Sequence, residues 1–448
     1  MSKSIKQRVF YSANWVIFGQ LFSQVMRLGS NLILTRLLVP EMFGVMSIVA
    51  VIMVGIGMFS NVGLLQSIVQ SKRGEDTDYL NTAWTIQIIR GFVIFFLALM
   101  ISGGVFYLGR AGYLDSQSVY GDTQLPFILG VVSLSAIISG FNSTYIFVLN
   151  RKLMMAKLVQ IDLFSQLVGL IVMLFWAWFQ RDIWALVFGG IISSIVKMLL
   201  SHVMDVGGKC RFQWDSTSVH EIFHFGKWIF LSSILGFMLN QGDRLILGGL
   251  ISPELLGIYT IAFFLANSLK DIILKLLMSI LFPFLSDTIR NNPNQVKSIY
   301  YNLRFKIDLV TMPVAGFLFS FGTVIVEFLY DSRYQPAGQM LEILSLSLIS
   351  VGFMLADQLF MSYGKPKYAS ISASLMVLTL YISVPIAYVY YGLDGAILAI
   401  AINPVLKIVI SMIIMKRKYF FNFYREIMML PLIPVGYFVG QQLKLIFL

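Results

Sequence analysis

The sequence predicts an all-α polytopic membrane protein in which two six-helix lobes repeat one another. Hydrophobic residues make up 58% of the 448 positions and charged residues only 12%, and the mean hydropathy is +0.80. So few charges do not cover a water-soluble domain of this size, and apolar runs long enough to cross a bilayer recur along the chain. An internal repeat, described next, supplies the division into two lobes.

The repeat joins positions that are 213 residues apart. The segment Leu32–Gly44 (LILTRLLVPEMFG) returns as Leu245–Gly257 (LILGGLISPELLG), and the ungapped alignment of Ser30–Ile48 with its copy contains 8 identities in 19 positions. Shared apolar composition does not readily give this density. Because both copies end an apolar span at a Pro-Glu turn, we expect the two halves to lie the same way up in the membrane, as parallel repeats.

Hydropathy and helix-breaking residues place six spans in each half. In chain order they are residues 12–37, 42–67, 82–108, 125–149, 158–179, 183–204, 227–250, 255–283, 305–329, 339–362, 369–391 and 396–415. A thirteenth apolar stretch, 427–448, contains Pro431 and Pro434. From sequence alone this stretch can span the membrane, lie at its surface or stop short.

These spans divide the chain into four parts. We predict an N-terminal lobe at 1–205, a cytoplasmic inter-lobe linker at 206–226 and a C-terminal lobe at 227–415. A basic cytoplasmic loop and the additional apolar segment follow at 416–448.

The basic residues predict the orientation. If the N-terminus is cytoplasmic, the loops on that side hold 21 Lys and Arg and the opposite loops hold five. Such asymmetry is typical of membrane proteins oriented this way, and it explains most of the net charge of +11 without a nucleic-acid partner. No loop is longer than about 25 residues and Cys210 is the single cysteine, so we expect no soluble catalytic domain, no cofactor and no metal cluster.

Seven basic residues fall inside the predicted spans. A central, lipid-facing charge costs roughly 2.5–3.5 kcal/mol on insertion scales, so we expect these residues to face the bundle interior or a wet cavity. In the first span, polar residues at positions 20, 24, 27 and 31 form one helical stripe. The seven are Arg27, Arg90, Lys197, Arg244, Lys270, Lys275 and Lys407.

Acidic residues are fewer in the spans, so the interior is predicted to be neutral to cationic. Such an interior suits an anionic ligand, because arginine grips a phosphate through two parallel hydrogen bonds. For any one of these residues, an interhelical hydrogen bond or ion pair is the open alternative.

Two longer motifs carry a resemblance to a known family. They are R-x-L-x-P-E-x-F-G at Arg36–Gly44 and D-R-x-I-L-G-x-x-x-S-P-E-x-x-G-x-Y at Asp243–Tyr259. The stretch Tyr334–Ala337 and the Gly364–Pro366 turn are also similar to the family. Over roughly residues 10–415 the chain resembles Wzx-type flippases of O-antigen and colanic-acid-like oligosaccharides. They form the polysaccharide transporter branch of the multidrug/oligosaccharidyl-lipid/polysaccharide (MOP, MATE-like) exporter superfamily.

The resemblance implies a transporter in the bacterial inner membrane and no enzyme. An oligosaccharide linked through pyrophosphate to undecaprenol would be turned from the cytoplasmic to the periplasmic leaflet by alternating access, for lipopolysaccharide O-antigen, exopolysaccharide or capsule. Besides this substrate and membrane lipid, the expected partners are a polysaccharide polymerase and its chain-length machinery. The alternatives are a MATE-like cation or drug antiporter, which favours an acidic cavity, and an integral membrane enzyme, which ordinarily needs a larger periplasmic loop.

The resemblance and the charges together predict the site residues. Those expected to bind the anionic headgroup are Arg27, Arg90, Arg244 and Lys270. Those expected to line the cavity with hydrogen-bonding groups are Gln24, Asn31 and Asn240. Asp162 and Asp357 are candidates for proton or sodium coupling, since a carboxylate in a low-dielectric span binds protons more tightly; a buried structural role is the open alternative for both.

The segment His220–His224 spells H-E-x-x-H, a zinc-binding helix motif of metalloproteases. The repeat maps this segment onto residues 7–11, the amphipathic run that enters the first span. We therefore expect an interfacial helix and no metal site here.

Overall fold

A computed structural model describes residues 5–204, 208–276 and 282–447. Within these ranges the regular structure is helical and contains no β-strand, so the predicted all-α class is confirmed. The first nine helices are α1 (Ile5–Leu37), α2 (Pro40–Phe59), α3 (Leu64–Gln70), α4 (Thr77–Arg110), α5 (Leu125–Val132), α6 (Leu134–Gly140), α7 (Tyr145–Arg151), α8 (Met155–Gln180) and α9 (Trp184–Val203).

The second half of the chain continues in the same way. Its helices are α10 (Ser216–Leu250), α11 (Pro253–Leu276), α12 (Phe282–Asn291), α13 (Val296–Leu329), α14 (Pro336–Ser345), α15 (Leu355–Ser362), α16 (Pro366–Lys418), α17 (Phe423–Ile427) and α18 (Leu432–Phe447). A 3₁₀ segment, Leu346–Met354, joins α14 to α15.

Eight helices in the described ranges are long and apolar enough to cross a membrane, or nine if the bent pair 125–140 and 145–151 counts as one span. The difference from the twelve predicted spans has physical sources. α16 counts once although Gly392, with φ 65° and ψ −154°, breaks it into two spans. α1 and α10 coincide with predicted spans but interrupt their apolar faces with polar residues.

The internal repeat reappears in the helix ends. α1 ends at Leu37 and α2 begins at Pro40, whereas α10 ends at Leu250 and α11 begins at Pro253, each 213 residues later. In both copies the residue after the first helix donates its N–H to the carbonyl four residues back, at 2.8 and 2.9 Å. Proline suits the start of the next helix, because the backbone N–H that it lacks would have no partner within the helix at that position.

The described chain divides into two compact units. Unit 1 comprises Met1–Phe237 and Leu247–Leu256, and unit 2 comprises Met238–Ile246 and Gly257–Leu448. The predicted linker therefore belongs to unit 1, whereas Met238–Ile246, within α10, belongs to unit 2. The lobe boundaries at 205 and 227 stay a prediction.

In unit 1 the segment before α10 is hydrogen-bonded along the start of α4. Its alternate backbone N–H groups donate to side-chain oxygens of that helix. The pairs are Arg211 to Asn81 (3.0 Å), Gln213 to Thr85 (3.1 Å) and Asp215 to Thr82 (3.1 Å). Every second N–H group of this extended segment thus points towards one face of α4.

Asp215 also caps the N-terminus of α10. Its carboxylate accepts hydrogen bonds from the backbone N–H groups and from the hydroxyls of Thr217 and Ser218, and it forms an ion pair with Arg73 at 3.2 Å. These contacts, led by the Ser218 hydroxyl, hold the pKa of Asp215 well below its ordinary value. The cap is therefore strongest above the ordinary carboxyl pKa and weakens as the pH falls through the lowered value.

In unit 2, α18 packs along α13 through glycines. A Cβ added to Gly436 would lie 1.9 Å from the Pro313 carbonyl oxygen, and one added to Gly440 would lie 2.0 Å from Ser320 Oγ. Both helices rise in sequence number along this contact, so they run parallel. The apolar stretch left open by the sequence is thus a 16-residue helix, about 24 Å long, packed against a membrane-spanning helix.

We expect Gly436→Ala to destabilise the protein by about 1–3 kcal/mol, because the added methyl group overlaps the backbone of α13. The measurement is thermal unfolding of the purified protein in detergent. Gly190→Ala is the control, since an added Cβ there meets nothing within 4 Å. Equal stability of the two variants would contradict the close α13–α18 packing.

Candidate functional site

The polar stripe predicted on the first span lies on one continuous helix, α1, in unit 1. α1 packs against α8, where Ser23 donates a 2.8 Å hydrogen bond to Gln166 and Gly19 approaches Val159. The helix therefore has a face that is fixed by packing, and the stripe extends along its other surfaces.

Arg27 is exposed near the middle of this predicted span. In the described part of the chain, no side chain or carbonyl forms an ion pair or hydrogen bond with its guanidinium. One turn earlier, Gln24 Oε1 is buried and accepts no hydrogen bond from any described residue. Asn31, one turn later, is half-buried. The stripe thus offers a cation and an acceptor whose hydrogen-bonding capacity is unused.

Arg90 has a different environment. This α4 residue donates from Nη2 to the Gly57 carbonyl at 2.7 Å and from Nε to Ser60 Oγ at 3.1 Å, at the C-terminal end of α2. A cation at a helix C-terminus satisfies carbonyls that have no partner within the helix and complements the helix dipole. The structure thus supports the structural alternative for Arg90 beside its predicted role in headgroup binding.

Two further side chains of unit 1 satisfy helix ends in the same way. Gln87 Nε2 donates to the carbonyls of Gly140 (3.0 Å), the last residue of α6, and of Asn142 (2.8 Å) just after it. Arg151 donates to the carbonyls of Ile68 (2.8 Å) and Ser71 (2.5 Å), at the end of α3. The break after α6, in the predicted fourth span, is therefore stabilised from α4, and the end of α3 beyond the predicted second span is stabilised from α7.

In unit 2, Arg244 on α10 is only partly satisfied. It donates to Gln241 Oε1 at 2.9 Å, and its guanidinium carbon lies 4.7 Å from the centre of the Phe263 ring. Its Nε is buried and donates to no described residue. Asn240 lies one turn earlier on the same helix and is exposed.

The acidic neighbour of Arg244 is held by a hydroxyl. Tyr259 donates a 2.6 Å hydrogen bond to Asp243 Oδ2, and both side chains are buried. Lys270 on α11 is half-buried and lies within electrostatic range of Asp243, Asp271 and Lys407. The side chain of Lys275 lies outside the described residues.

Asp357 on α15 forms an ion pair with Lys407 on α16. The Lys407 residue is only 9% exposed, and Asp357 Oδ1 is buried without a described hydrogen-bond partner. Asn403 and Ser411 lie one turn to either side of Lys407, and both have a buried side-chain oxygen without such a partner. These two neutral residues were not predicted from the sequence, although their spacing of four from Lys407 could have indicated them.

Asp162 also pairs with a lysine, but in an exposed position. Its Oδ1 lies 2.7 Å from Lys197 Nζ, and the two side chains are 59% and 41% exposed. The Asp162–Lys197 pair is therefore much more exposed than the Asp357–Lys407 pair.

The H-E-x-x-H segment forms the first turns of α10. Its Glu221 accepts a 2.5 Å hydrogen bond from Ser71. In the described ranges, no three His, Cys, Asp or Glu side chains come together as metal ligands would.

Comparison with known proteins identifies the family. The family described as "Polysaccharide biosynthesis protein" matches residues 33–339, more than half of the chain. The chain belongs to this family. As a member of the polysaccharide biosynthesis protein family it is similar to WzxC, a lipopolysaccharide biosynthesis protein of Escherichia coli (strain K12). The two are 20% identical over an alignment of 459 positions, which covers 98% of this chain and 89% of WzxC. The predicted resemblance to Wzx-type flippases is thereby confirmed.

Two other relatives are similar over less of their length. An uncharacterized membrane protein in the cps region of Klebsiella pneumoniae is 24% identical over 316 residues, covering 69% of this chain and 62% of that protein. The succinoglycan biosynthesis transport protein ExoT of Rhizobium meliloti (strain 1021) is 21% identical over 316 residues, covering 70% and 61%. The chain thus spans less than two thirds of these two relatives.

Solved structures show the same fold. The lipid II flippase MurJ in an inward closed conformation superposes with a TM-score of 0.65 at 13% identity, covering 95% of this chain and 98% of MurJ. An inward-facing multidrug resistance MATE family transporter of the MOP superfamily gives a TM-score of 0.63 at 13% identity, covering 95% of both chains. The MATE-like fold expected for this family is confirmed.

We expect Arg90→Met to lower the free energy of unfolding by about 1.5–3 kcal/mol, because it leaves the Gly57 carbonyl and the Ser60 hydroxyl at the end of α2 without their charged donor. Arg27→Met is the matched control, since it removes the same charge from a residue with no described partner. Thermal unfolding in detergent measures both. If Arg27→Met were the more destabilising variant, the capping role of Arg90 would be refuted.

Proposed function

We propose that this protein is a flippase for a lipid-linked oligosaccharide in surface polysaccharide biosynthesis. Its substrate would carry undecaprenyl pyrophosphate and move from the cytoplasmic to the periplasmic leaflet of the bacterial inner membrane. The observation that carries the proposal is Arg27, an exposed guanidinium near the middle of a membrane helix that no described residue neutralises.

An uncompensated charge at this depth is costly unless water or a ligand supplies the missing partner. A pyrophosphate suits a guanidinium because its oxygens accept two parallel hydrogen bonds while neutralising the charge. The buried Gln24 Oε1 adds an acceptor for a sugar hydroxyl or a bound water. Hydrogen-bonding groups of this kind serve recognition and movement, since flipping makes and breaks no covalent bond.

Unit 2 offers a second set of groups for the same ligand chemistry. Arg244 retains an unused Nε donor, Lys270 is half-buried and Asn240 is exposed. We propose that these residues contact the substrate during alternating access. The names of WzxC and ExoT support a role in polysaccharide export, and a polymerase with its chain-length machinery would act on the product.

We further propose that Asp357, rather than Asp162, couples transport to an ion gradient. Its partner Lys407 already supplies a cation inside unit 2, which favours a proton over sodium as the coupling ion. Protonation of Asp357 would release a largely buried lysine, whereas protonation of Asp162 would release a lysine that is already exposed. The N-terminus would be cytoplasmic, as the positive-inside rule predicts.

The fold likeness to a MATE transporter keeps an antiporter for cations or drugs as the second candidate. Efflux of a cationic dye from vesicles, driven by a proton gradient and lost in Asp357→Asn, would favour it. Absence of efflux together with restored polysaccharide export would favour the flippase.

We expect Arg27→Glu to abolish surface polysaccharide in a strain that lacks the native gene, because the reversed charge repels the pyrophosphate. Arg110→Glu, an exposed charge reversal at the end of α4, should export normally and serves as the control. The measurements are surface polysaccharide by immunoblot and the amount of folded protein in the membrane. Normal export by a folded Arg27→Glu variant would refute the headgroup assignment.

We expect the single variant Lys407→Met to destabilise unit 2 by about 3–5 kcal/mol, because it leaves a carboxylate buried alone. The double variant Asp357→Asn/Lys407→Met should recover most of that loss but not proton-driven transport. Thermal unfolding and transport in vesicles with an imposed pH gradient measure the two effects. Proton-coupled transport by the folded double variant would exclude this pair from coupling.

A further inference from the structure

The exposed ion pair of unit 1 lies inside two membrane-spanning helices. Asp162 on α8 and Lys197 on α9 are 2.7 Å apart, from Oδ1 to Nζ, and their side chains are 59% and 41% exposed. Both helices are long and apolar enough to cross a membrane. Asp162 lies seven residues after the start of α8 and Lys197 six residues before the end of α9. Each charge is therefore about 10 Å from a helix end.

The surroundings of this pair are aqueous, because a charged pair exposed to acyl chains at this depth is costly. In the described part of the chain, neither Asp162 nor Lys197 has another charged or hydrogen-bonding partner. The remaining lone pairs of the carboxylate and N–H groups of the ammonium are thus open to a ligand. Since the two charges neutralise each other, the pair does not strongly attract a free cation or a free anion.

Gln166 extends the pair by one turn along the same face of α8. Its Oε1 accepts the 2.8 Å hydrogen bond from Ser23 of α1, which fixes the orientation of the amide. Its Nε2 donates to no described residue. Asp162, Gln166 and Lys197, called the α8–α9 polar cluster below, therefore offer two kinds of donor and one acceptor side by side.

The α8–α9 polar cluster lies close to Arg27 along the direction of the helices. Residue numbers rise together at both contacts between α1 and α8, so these helices run parallel. Arg27 is one turn beyond Ser23, and Asp162 is one turn before Gln166, the partner of Ser23. The two charges are thus about 8–12 Å apart along the helix axes. This is about the length of a pyrophosphate group and the sugar attached to it.

We propose that the α8–α9 polar cluster binds hydroxyl groups of the sugar that follows the pyrophosphate in the lipid-linked substrate. The inference rests on the function proposed above, with the pyrophosphate at Arg27. A sugar hydroxyl both donates and accepts, so neighbouring hydroxyls donate to Asp162 and accept from Lys197 and from Gln166 Nε2. A second phosphate is repelled by Asp162, and a free cation is repelled by Lys197. The cluster therefore reads the sugar, whereas Arg27 reads a pyrophosphate that is the same whatever the sugar.

The test compares undecaprenyl pyrophosphate with the same lipid carrying its oligosaccharide, extracted from cells that lack the gene. Binding of each lipid to the full-length protein in detergent is measured by native mass spectrometry. We expect the sugar-bearing lipid to bind roughly tenfold more tightly, as a hydrogen bond to a charged group implies. Equal affinity for the two lipids would overturn this inference alone, whereas failure of both to bind would overturn the proposed function as well.

A double variant that keeps the net charge assigns the preference to the cluster. Asp162→Ala/Lys197→Ala should lower the affinity for the sugar-bearing lipid to that for undecaprenyl pyrophosphate and leave the latter affinity unchanged. An exposed ion pair contributes little to stability, so we expect this variant to fold, and thermal unfolding checks it. A folded double variant that keeps the preference would refute the site. Equal weakening of both lipids would indicate a phosphate contact and would overturn the assignment to the sugar.

The matched control removes another exposed ion pair of unit 1. Glu75 and Lys152 are 2.8 Å apart, from Oε2 to Nζ, with side chains 48% and 46% exposed, and both lie in loops between helices. We expect Glu75→Ala/Lys152→Ala to keep the full preference for the sugar-bearing lipid. Loss of the preference in this control as well would refute a specific role of the α8–α9 polar cluster.

The oligosaccharide released from its lipid distinguishes a sugar bound as part of the substrate from a free sugar. We expect no binding of the free oligosaccharide at concentrations where the lipid-linked form saturates, because it lacks the pyrophosphate that contacts Arg27. Saturation by the free oligosaccharide in the same range would overturn the assignment to the lipid-linked substrate.

Discussion

The need to satisfy backbone carbonyls at broken helices governs much of this structure. A bilayer offers no water to the last carbonyls of a helix, so each break within a span needs donors from elsewhere in the protein. At the breaks of unit 1 the donors are Arg90 and Gln87, which reach the ends of α2 and α6, and Arg151 plays the same part where α3 ends beyond the predicted span. The breaks can exist because these long side chains are held on neighbouring helices.

This constraint separates the cations of the spans into groups with different roles. Arg90 belongs with the capping residues, and the lysines of the Asp162 and Asp357 pairs are neutralised by acids. Arg27 neither caps a helix end nor pairs with an acid, because no described group accepts a hydrogen bond from its guanidinium. The contrast in partners, rather than position in a span, supports the proposal that Arg27 binds substrate.

The sequence predicts the fold well because the relevant signals are local. The Pro-Glu turns set the ends of α1 and α10 at equivalent positions of the repeat, and hydropathy together with helix-breaking residues locates the long helices. Capping by Arg90 was not predictable, because it depends on α2 ending at Phe59, which leaves the Gly57 carbonyl free to accept from a residue 33 positions away. The pairing of Asp357 with Lys407 likewise joins residues 50 positions apart. Hydropathy gives no special weight to neutral residues such as Asn403, so the polar stripe on α16 was only partly visible.

The extended segment hydrogen-bonded along α4 bears on how the protein is made. All the side chains that receive its N–H groups lie at residues 81–85, so they leave the ribosome well before residues 211–215. The docking surface can therefore stand ready when the segment emerges, and α10 receives its N-cap from Asp215 as its synthesis begins. Assembly of this face of unit 1 can thus proceed during translation, ahead of the helices that complete the second half.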